Sequence, residues 1–532
     1  MCKDKIQKVF SILLGTILLL MMGLKFYTVL CINVPRELRE GTLVVFAKAF
    51  SEGINLYSTD TLQYGIPAPT TLYGFLIPLI LSLFVKVGSS LGIDALVICQ
   101  VTTLIVEAIG LFFVYKLVQK KTNNNIYAIM AAILCYSCYW RYDACGGAYP
   151  DQWGITISFV LAYLVYINSE KKRYCPFLYT LIILILFYIK SYFVFVTLGL
   201  ILYLWIESKT NFMKLIIYGG IIGCLSFFIV NKAFPLYFTE ILAIGQGTTF
   251  NCGFRFSLGQ IPELAIRYYL VCTLALLVLI SKIIFKMVKL FKKNGIKSVY
   301  AFIRYNNSLE ICMLLAILPA VIVIARNGGT RYTYYLQLWW IWVILFVTEN
   351  ANKIMSISLL SHIRIKYKML IMVLVCVLSI TMCREFIIST PLNESQKRDW
   401  KYVYSLLDEY SKAGDILVSA HLSIWCIERN IETAEYGQQE FNDLYNLNNY
   451  NHKVLWTKLF PLAEDILTNS INYNEEVKEK IKKHNFSCIA LTSEARYDID
   501  DNFLLEQGYV VLDERMLYTG TQQWDTKIWI MK

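Results

Sequence analysis

Pro176-FLYTLIILILFYIKSYFVFVTLGLILYLW-Ile206 is an apolar run of 31 residues interrupted by a single charge, Lys190. A helix crosses a hydrocarbon core about 30 Å thick with about 20 apolar residues. The run is too long for one crossing, and two short helices turning at Lys190-Ser191 account for both its length and its lysine. Further apolar runs lie at 9–32, 93–115, 126–140, 153–168, 214–231, 264–285, 309–325, 332–348 and 367–384. They predict an α-helical polytopic membrane protein with about eleven transmembrane helices over residues 1–390. The first run is followed by too many others, and by no small-residue cleavage pattern, to be a removable signal peptide.

Composition excludes a string of soluble domains. Of the 532 residues, 57% are hydrophobic and only 17% charged, too little polar surface to coat a water-soluble globule of 61.5 kDa. The net charge of +11 is the sum of two unlike parts: residues 1–390 carry +19 and residues 391–532 carry −8. A basic excess beside apolar spans fits cytoplasmic anchoring and anionic headgroups, so no nucleic-acid partner is expected. The 15 cysteines fall mostly inside apolar runs and define no disulfide framework. Cys135 and Cys138, a lone CxxC on a predicted span, read as packing residues rather than metal or redox ligands.

Lys3, Lys5 and Lys8 place the N-terminus in the cytoplasm, so the first extracytoplasmic loop is 33–70. Lys116 to Lys121, Lys171 to Arg173, Lys209 with Lys214, Lys282 to Lys297, and Lys353 with Arg364 to Lys368 are all cytoplasmic on two conditions, one being the turn within 176–206 at Lys190-Ser191 and the other concerning residues 70–90. The run at 70–90 must be re-entrant, lie in the outer leaflet, or belong to one kinked span, since a separate crossing there reverses everything downstream. The acidic part, 391–532, reads as a small extracytoplasmic α/β domain. Its predicted helices are Trp400–Tyr410 and 472–483, and its predicted strands are Ile416–Val418, Cys488–Leu491, Tyr509–Leu512 and Ile528–Met531. It has no phosphate-binding glycine loop and no metal-spaced His/Cys set, and His421 reads as a loop histidine.

Four constellations on the outer side carry chemistry. In the first loop, Arg36-Glu37-Leu-Arg39-Glu40-Gly41 precedes Leu43, Phe46, Ala47 and Phe50 at helical spacing, predicting an interfacial helix with Glu40 at headgroup depth. A carboxylate so placed has a raised proton affinity, which suits a general base; the bland alternative is a solvated charge cluster. Arg141-Tyr-Asp143 and Gly146-Gly147-Ala-Tyr149-Pro150-Asp151 lie between two spans, where an interfacial ion pair is the competing explanation. Lys190 must snorkel or meet an anion. Arg326-Asn327-Gly-Gly-Thr-Arg331 precedes Tyr334 and Gln337. With Arg255 of the 232–263 loop, Arg141, Lys190, Arg326 and Arg331 form a predicted cationic rim suited to phosphate. Tyr57, Asp143, Asp151, Asn327, Tyr334 and Gln337 are the predicted substrate-lining residues. Cations that neutralise a departing phosphate, with a carboxylate that deprotonates an incoming hydroxyl, are the apparatus of transfer from a lipid phosphate.

At these residues the chain resembles polytopic GT-C glycosyltransferases of the protein mannosyltransferase and aminoarabinose transferase kind (glycosyltransferase family 39-like). The matching segments are Arg39-Glu40-Gly41, Gly53-x-Asn55-Leu-Tyr57, Tyr73-Gly74-Phe75, Tyr149-Pro150-Asp151, Lys190-Ser-Tyr192-Phe193 and Asn327-x-Gly329-x4-Tyr334-x2-Gln337-Leu338, in order over roughly residues 30–345. Better-known members carry an Asp-Glu pair in the first loop, where this chain has Arg39-Glu40. The resemblance implies a GT-C-like fold and a polyprenyl-phosphate sugar donor. It also implies an extracytoplasmic active site in the cell membrane, a catalytic acid falling on Glu40, and no metal or other cofactor. The acceptor is then a glycan, lipid or protein, and direct displacement inverts the donor's anomeric carbon. Two other activities suit a polytopic basic chain: a lipid-linked glycan polymerase or ligase, and a flippase or transporter of lipid-linked saccharides. The C-terminal domain speaks against the first, and the lack of internal repeats against the second.

Overall fold

The chain does break at Lys190. Helix α7 (Pro176–Ile189) ends there, a single 3-10 turn covers Ser191–Val194, and α8 (Phe195–Glu207) runs back. The structure, a computed structural model, describes residues 2–36, 38–62, 74–139, 147–244, 253–325, 333–355, 365–383, 392–429, 460–492, 499–520 and 522–532. The other helices of the apolar part are α1 (Cys2–Cys31), α2 (Leu38–Ser51), α3 (Leu76–Ser90), α4 (Ala95–Thr122), α5 (Asn125–Tyr136), α6 (Pro150–Glu170), α9 (Lys209–Ala233), α10 (Gly253–Arg267), α11 (Leu270–Tyr305), α12 (Leu309–Ala325), α13 (Thr333–Glu349) and α14 (Ile365–Met382).

Hydrogen bonds assign helix ends to the two ends of this bundle. At one end Lys121 Nζ lies 2.6 Å from Glu310 and 2.9 Å from Glu349, joining the end of α4 to the start of α12 and the end of α13. The Asn307 side chain donates to Glu207 there at 3.0 Å, and Tyr127 donates to Asn352 at 2.9 Å. At the other end Asn33 donates to Asp94 at 2.8 Å, Gly74 N to Ile189 O at 3.0 Å, and Asn55 to Ala233 O at 2.8 Å. Helix α11 breaks at Gly295 (φ 70°), so only its Leu270–Lys293 part is a candidate crossing. Gln7–Cys31, Ala95–Thr122, Lys209–Ala233 and Leu270–Lys293 are each long and apolar enough to cross a membrane unaided. Helices α7 and α8, of 14 and 13 residues, rise only about 20 Å each. Their turn therefore falls inside the apolar slab, where non-helical backbone is tolerated because protein surrounds it.

Helix α3 returns to the side of the bundle from which it starts. Its start at Gly74 is bonded to the end of α7, and its end leads through a four-residue turn to Asp94 beside Asn33. Both termini therefore lie at the same end of the bundle, and α3 does not cross. Gly74 makes this docking possible: a Cβ there would stand 1.6 Å from the Tyr188 carbonyl oxygen. We expect Gly74→Ala to cost about 1–3 kcal/mol, as overpacking does, read as a lower thermal midpoint of the purified protein.

Helix α2 departs from expectation. A one-sided apolar face was expected, yet Leu43, Val44, Val45, Phe46 and Ala47 are all buried. The reason is that three bodies enclose it: the main bundle core takes Leu43, Val44 and Ala47, an aromatic cluster takes Val45 and Phe46, and the C-terminal domain lies against it through Ala420–Leu422 and Ser423–Glu428.

That domain is a four-stranded sheet of order β1-β2-β4-β3, with β1 (Asp415–Val418) parallel to β2 (Phe486–Thr492) and β4 (Gln523–Met531) antiparallel to both β2 and β3 (Tyr509–Tyr518). Strand alternation fills two cores. Ile416, Val418, Cys488, Ala490 and Ile528 face α15 (Glu394–Tyr410), and Leu417, Ile489, Leu491 and Trp529 face α17 (Leu462–Lys482), with α16 being Ser423–Glu428. His421 is wholly buried and its Nε2 sits 3.1 Å from Thr526 Oγ1. Burial pushes its pKa down to about 3. Between an ordinary value of about 6.5 and that point the unfolded chain takes up a proton the folded domain refuses. Stability should therefore fall by about 1.4 kcal/mol per pH unit as pH drops through that window. His421→Gln should flatten the slope, measured as unfolding midpoint against pH.

Candidate functional site

Glu40 occupies the first turn of α2 and is fully buried. Its Oε1 accepts the Ala148 N–H at 2.6 Å and the Gln100 side-chain amide at 2.9 Å, and its Oε2 accepts the Arg36 N–H at 2.6 Å. A first-turn carboxylate reaching back to backbone N–H groups is favoured at a helix start. Burial raises its proton affinity above the ordinary carboxylate range, and the amides of Arg36, Ala148 and Gln100, then the Arg36 charge, offset part of that rise. A proton site therefore stands ready at Oε2, whose single N–H partner among the described residues is the Arg36 amide.

Three residues beyond Ala148, Asp151 opens α6 and meets the break at Lys190. The ammonium lies 3.1 Å and 3.0 Å from the two carboxylate oxygens, and the Tyr192 hydroxyl donates to Oδ1 at 2.5 Å. Gly154, one turn on, lets α6 approach the Phe193 ring, which a Cβ would overlap at 2.2 Å. Tyr192 also packs edge-on against Tyr335, ring centroids 5.0 Å apart, bringing the first turn of α13 to the same place. Gln337, two residues on, is buried. Segment 148–151 is thus shared: its first amide holds Glu40, and its last side chain holds Lys190. Fully extended, three residues span at most about 11 Å, which bounds how far the Asp151 backbone can lie from the amide that holds Glu40.

Tyr57 takes a different position. It is fully buried in a cluster with Phe46, Phe234 and Tyr237 at centroid distances of 5.3, 5.9 and 5.7 Å. Glu240, also fully buried, lies close enough to raise the Tyr57 and Tyr237 hydroxyl pKa values further than burial alone does. Ile466 of the C-terminal domain closes this cluster.

Of the residues predicted from sequence, the structure pairs Asp151 with Lys190 and ties Glu40 to the amide three residues before Asp151. Lys190 is expected among the phosphate ligands, and in the structure its ammonium pairs with Asp151. Arg141, Asp143, Arg326, Asn327 and Arg331 lie outside the described residues. Arg255 and Tyr334 fall within helices α10 and α13, and their side chains are likewise outside what is described. Sequence reasoning missed Gln100, Arg36 as a buried anchor, and the buried pair of Lys25 with Glu107 at 2.8 Å, whose ammonium also donates to Tyr139 O at 3.1 Å. A signal existed: Gln100, Thr103 and Glu107 sit at i, i+3 and i+7 within an apolar span, and an ionisable residue in a span is a functional lead by default.

No protein-family model matches the chain, and no curated protein matches it. Among solved structures, ArnT from Cupriavidus metallidurans, determined bound to undecaprenyl phosphate, superposes with a TM-score of 0.53 over 97% of each chain at 8% identity. At that identity the likeness is one of fold, and it extends over both the helical bundle and the small C-terminal domain.

Proposed function

We propose that this membrane-embedded protein, with its GT-C-like fold, is a glycosyltransferase. On this reading it moves one sugar from a polyprenyl phosphate to a cell-surface glycan, lipid or protein on the extracytoplasmic side. The observation that carries the proposal is the enclosed Glu40 carboxylate, bonded to the Ala148 amide three residues before Asp151 of the Asp151–Lys190 pair, in a bundle whose fold matches that of a protein solved with undecaprenyl phosphate. Glu40 acts as general base on the acceptor hydroxyl, its raised proton affinity bringing it nearer the operating pH. Lys190 faces the donor phosphate, with Asp151 and Tyr192 holding its ammonium in register. That pair is electrically neutral, so on this reading net positive charge for a departing phosphate has to come from Arg141, Arg255, Arg326 and Arg331. Attack on the anomeric carbon opposite the phosphate inverts it. The basic connections at the far end, including Lys120 and Lys121, support a cytoplasmic far end and an extracytoplasmic site. The test is transfer of labelled sugar from a polyprenyl-phosphate donor by the purified protein in lipid nanodiscs. Label in an acceptor supports the proposal, and label confined to the donor across donor sugars and acceptor classes refutes it.

A further inference from the structure

We infer that the C-terminal domain holds the Glu40 carboxylate in place through Arg36, and that Thr519, in the turn joining β3 to β4, is the positioning residue that does so. The inference rests on the reading of Glu40 as the reacting acid. Residues 32–36, which lead into α2, are built into this domain as well as into the bundle. Ile32 and Val34 are buried in the same core as Trp400, Leu517 and Trp524. Arg36 is fully buried, and its guanidinium donates to Thr519 O at 3.3 Å and to Thr28 O, at the end of α1, at 3.0 Å. The Thr519 hydroxyl returns a bond to Arg36 O at 3.2 Å. Thr519 is itself fully buried, and its backbone and side chain are tied to Gln522 across the turn, the Gln522 N–H donating to Oγ1 at 2.9 Å.

The Arg36 peptide is thus held on both sides of one residue. Its carbonyl and guanidinium engage the turn, and its N–H, on the same backbone, donates to Glu40 Oε2 at 2.6 Å. A backbone that cannot shift presents that N–H in a fixed place, which is what pre-organised support of a reacting group requires. Ala420–Leu422 and α16 press on the rest of α2, so the helix bearing Glu40 is gripped before and after the carboxylate by a domain 483 residues away in sequence at its turn. This gives the domain a role that anchoring in the membrane does not need.

The test is hydrogen–deuterium exchange on the full chain in nanodiscs, with sugar transfer measured in parallel. Thr519→Val should speed exchange of the amides at 36–41 by about three- to tenfold, the factor expected when one side-chain hydrogen bond is lost, and Thr519→Ser should restore it. Arg36→Lys should give the same change at 36–41 with little change at 519–524, which separates loss of the contact from loosening of the turn and serves if Thr519→Val does not fold. In transfer, both variants should lower kcat by a similar factor and leave the donor KM within about twofold. The acid limb of the pH profile should move upward, because the Arg36 amide favours the ionised carboxylate. Exchange at 36–41 within about twofold of wild type in both variants overturns the inference. If exchange responds but the wild-type protein transfers no sugar, the coupling stands and the transferase reading falls.

Discussion

Glu40→Gln is expected to slow sugar transfer by about 10²–10⁴-fold, the range that a positioned general base contributes, while leaving binding of the polyprenyl-phosphate donor unchanged. The amide side chain has nearly the same shape, so the bonds from Ala148, Gln100 and Arg36 lose one acceptor oxygen at most. Loss of turnover without loss of donor binding then reports the missing proton acceptor. The wild-type pH profile supplies a second check. The free carboxylate must be ionised to accept a proton, and burial raises its pKa, so activity should fall on the acid side at a pH above the ordinary carboxylate value of about 4.3. Wild-type rates in Glu40→Gln would remove this residue from the mechanism.

The second large effect concerns stability. Asp151 and Lys190 are 1% and 5% exposed, and their charges lie 3.0 Å apart, shielded from bulk solvent. Removing one partner of such a pair leaves a desolvated charge and costs about 3–5 kcal/mol, whereas replacing both with neutral groups of similar size is often close to neutral. Asp151→Ala and Lys190→Met should therefore each sharply lower the unfolding midpoint in detergent or nanodiscs. The double variant Asp151→Asn with Lys190→Met should recover most of that loss while remaining inactive. Midpoints for the single variants within about 1 kcal/mol of wild type would show that the pair does not hold the α6–α7 junction.

Much of the architecture was legible in the chain because hydrophobic length and lone charges act locally. One lysine in a 31-residue apolar run dictated the turn at 190, since neither a longer span nor a lipid-facing ammonium is stable. The apolar runs at Ile416–Val418 and Cys488–Leu491 likewise announced strands of a small α/β domain, whose sheet the structure shows buried on both faces. What escaped were relations between distant segments. Helix α2 reads as one-sided until the domain that covers its other flank is placed. The partners Asp151 and Lys190, Lys25 and Glu107, and Arg36 and Thr519 are 39, 82 and 483 residues apart, and nothing in local periodicity pairs them. The same holds for Gln100, whose side chain reads as a tolerated polar group until Glu40 is seen to need a donor.

The most direct test of the central claim is a structure of the protein with undecaprenyl phosphate bound in nanodiscs, determined by electron cryomicroscopy. The account predicts the phosphate beside Lys190 at the end of the bundle that holds Glu40, with the prenyl chain leaving between helices into the adjoining leaflet. A phosphate seated at the opposite end, near Lys121, Glu310 and Glu349, would contradict it.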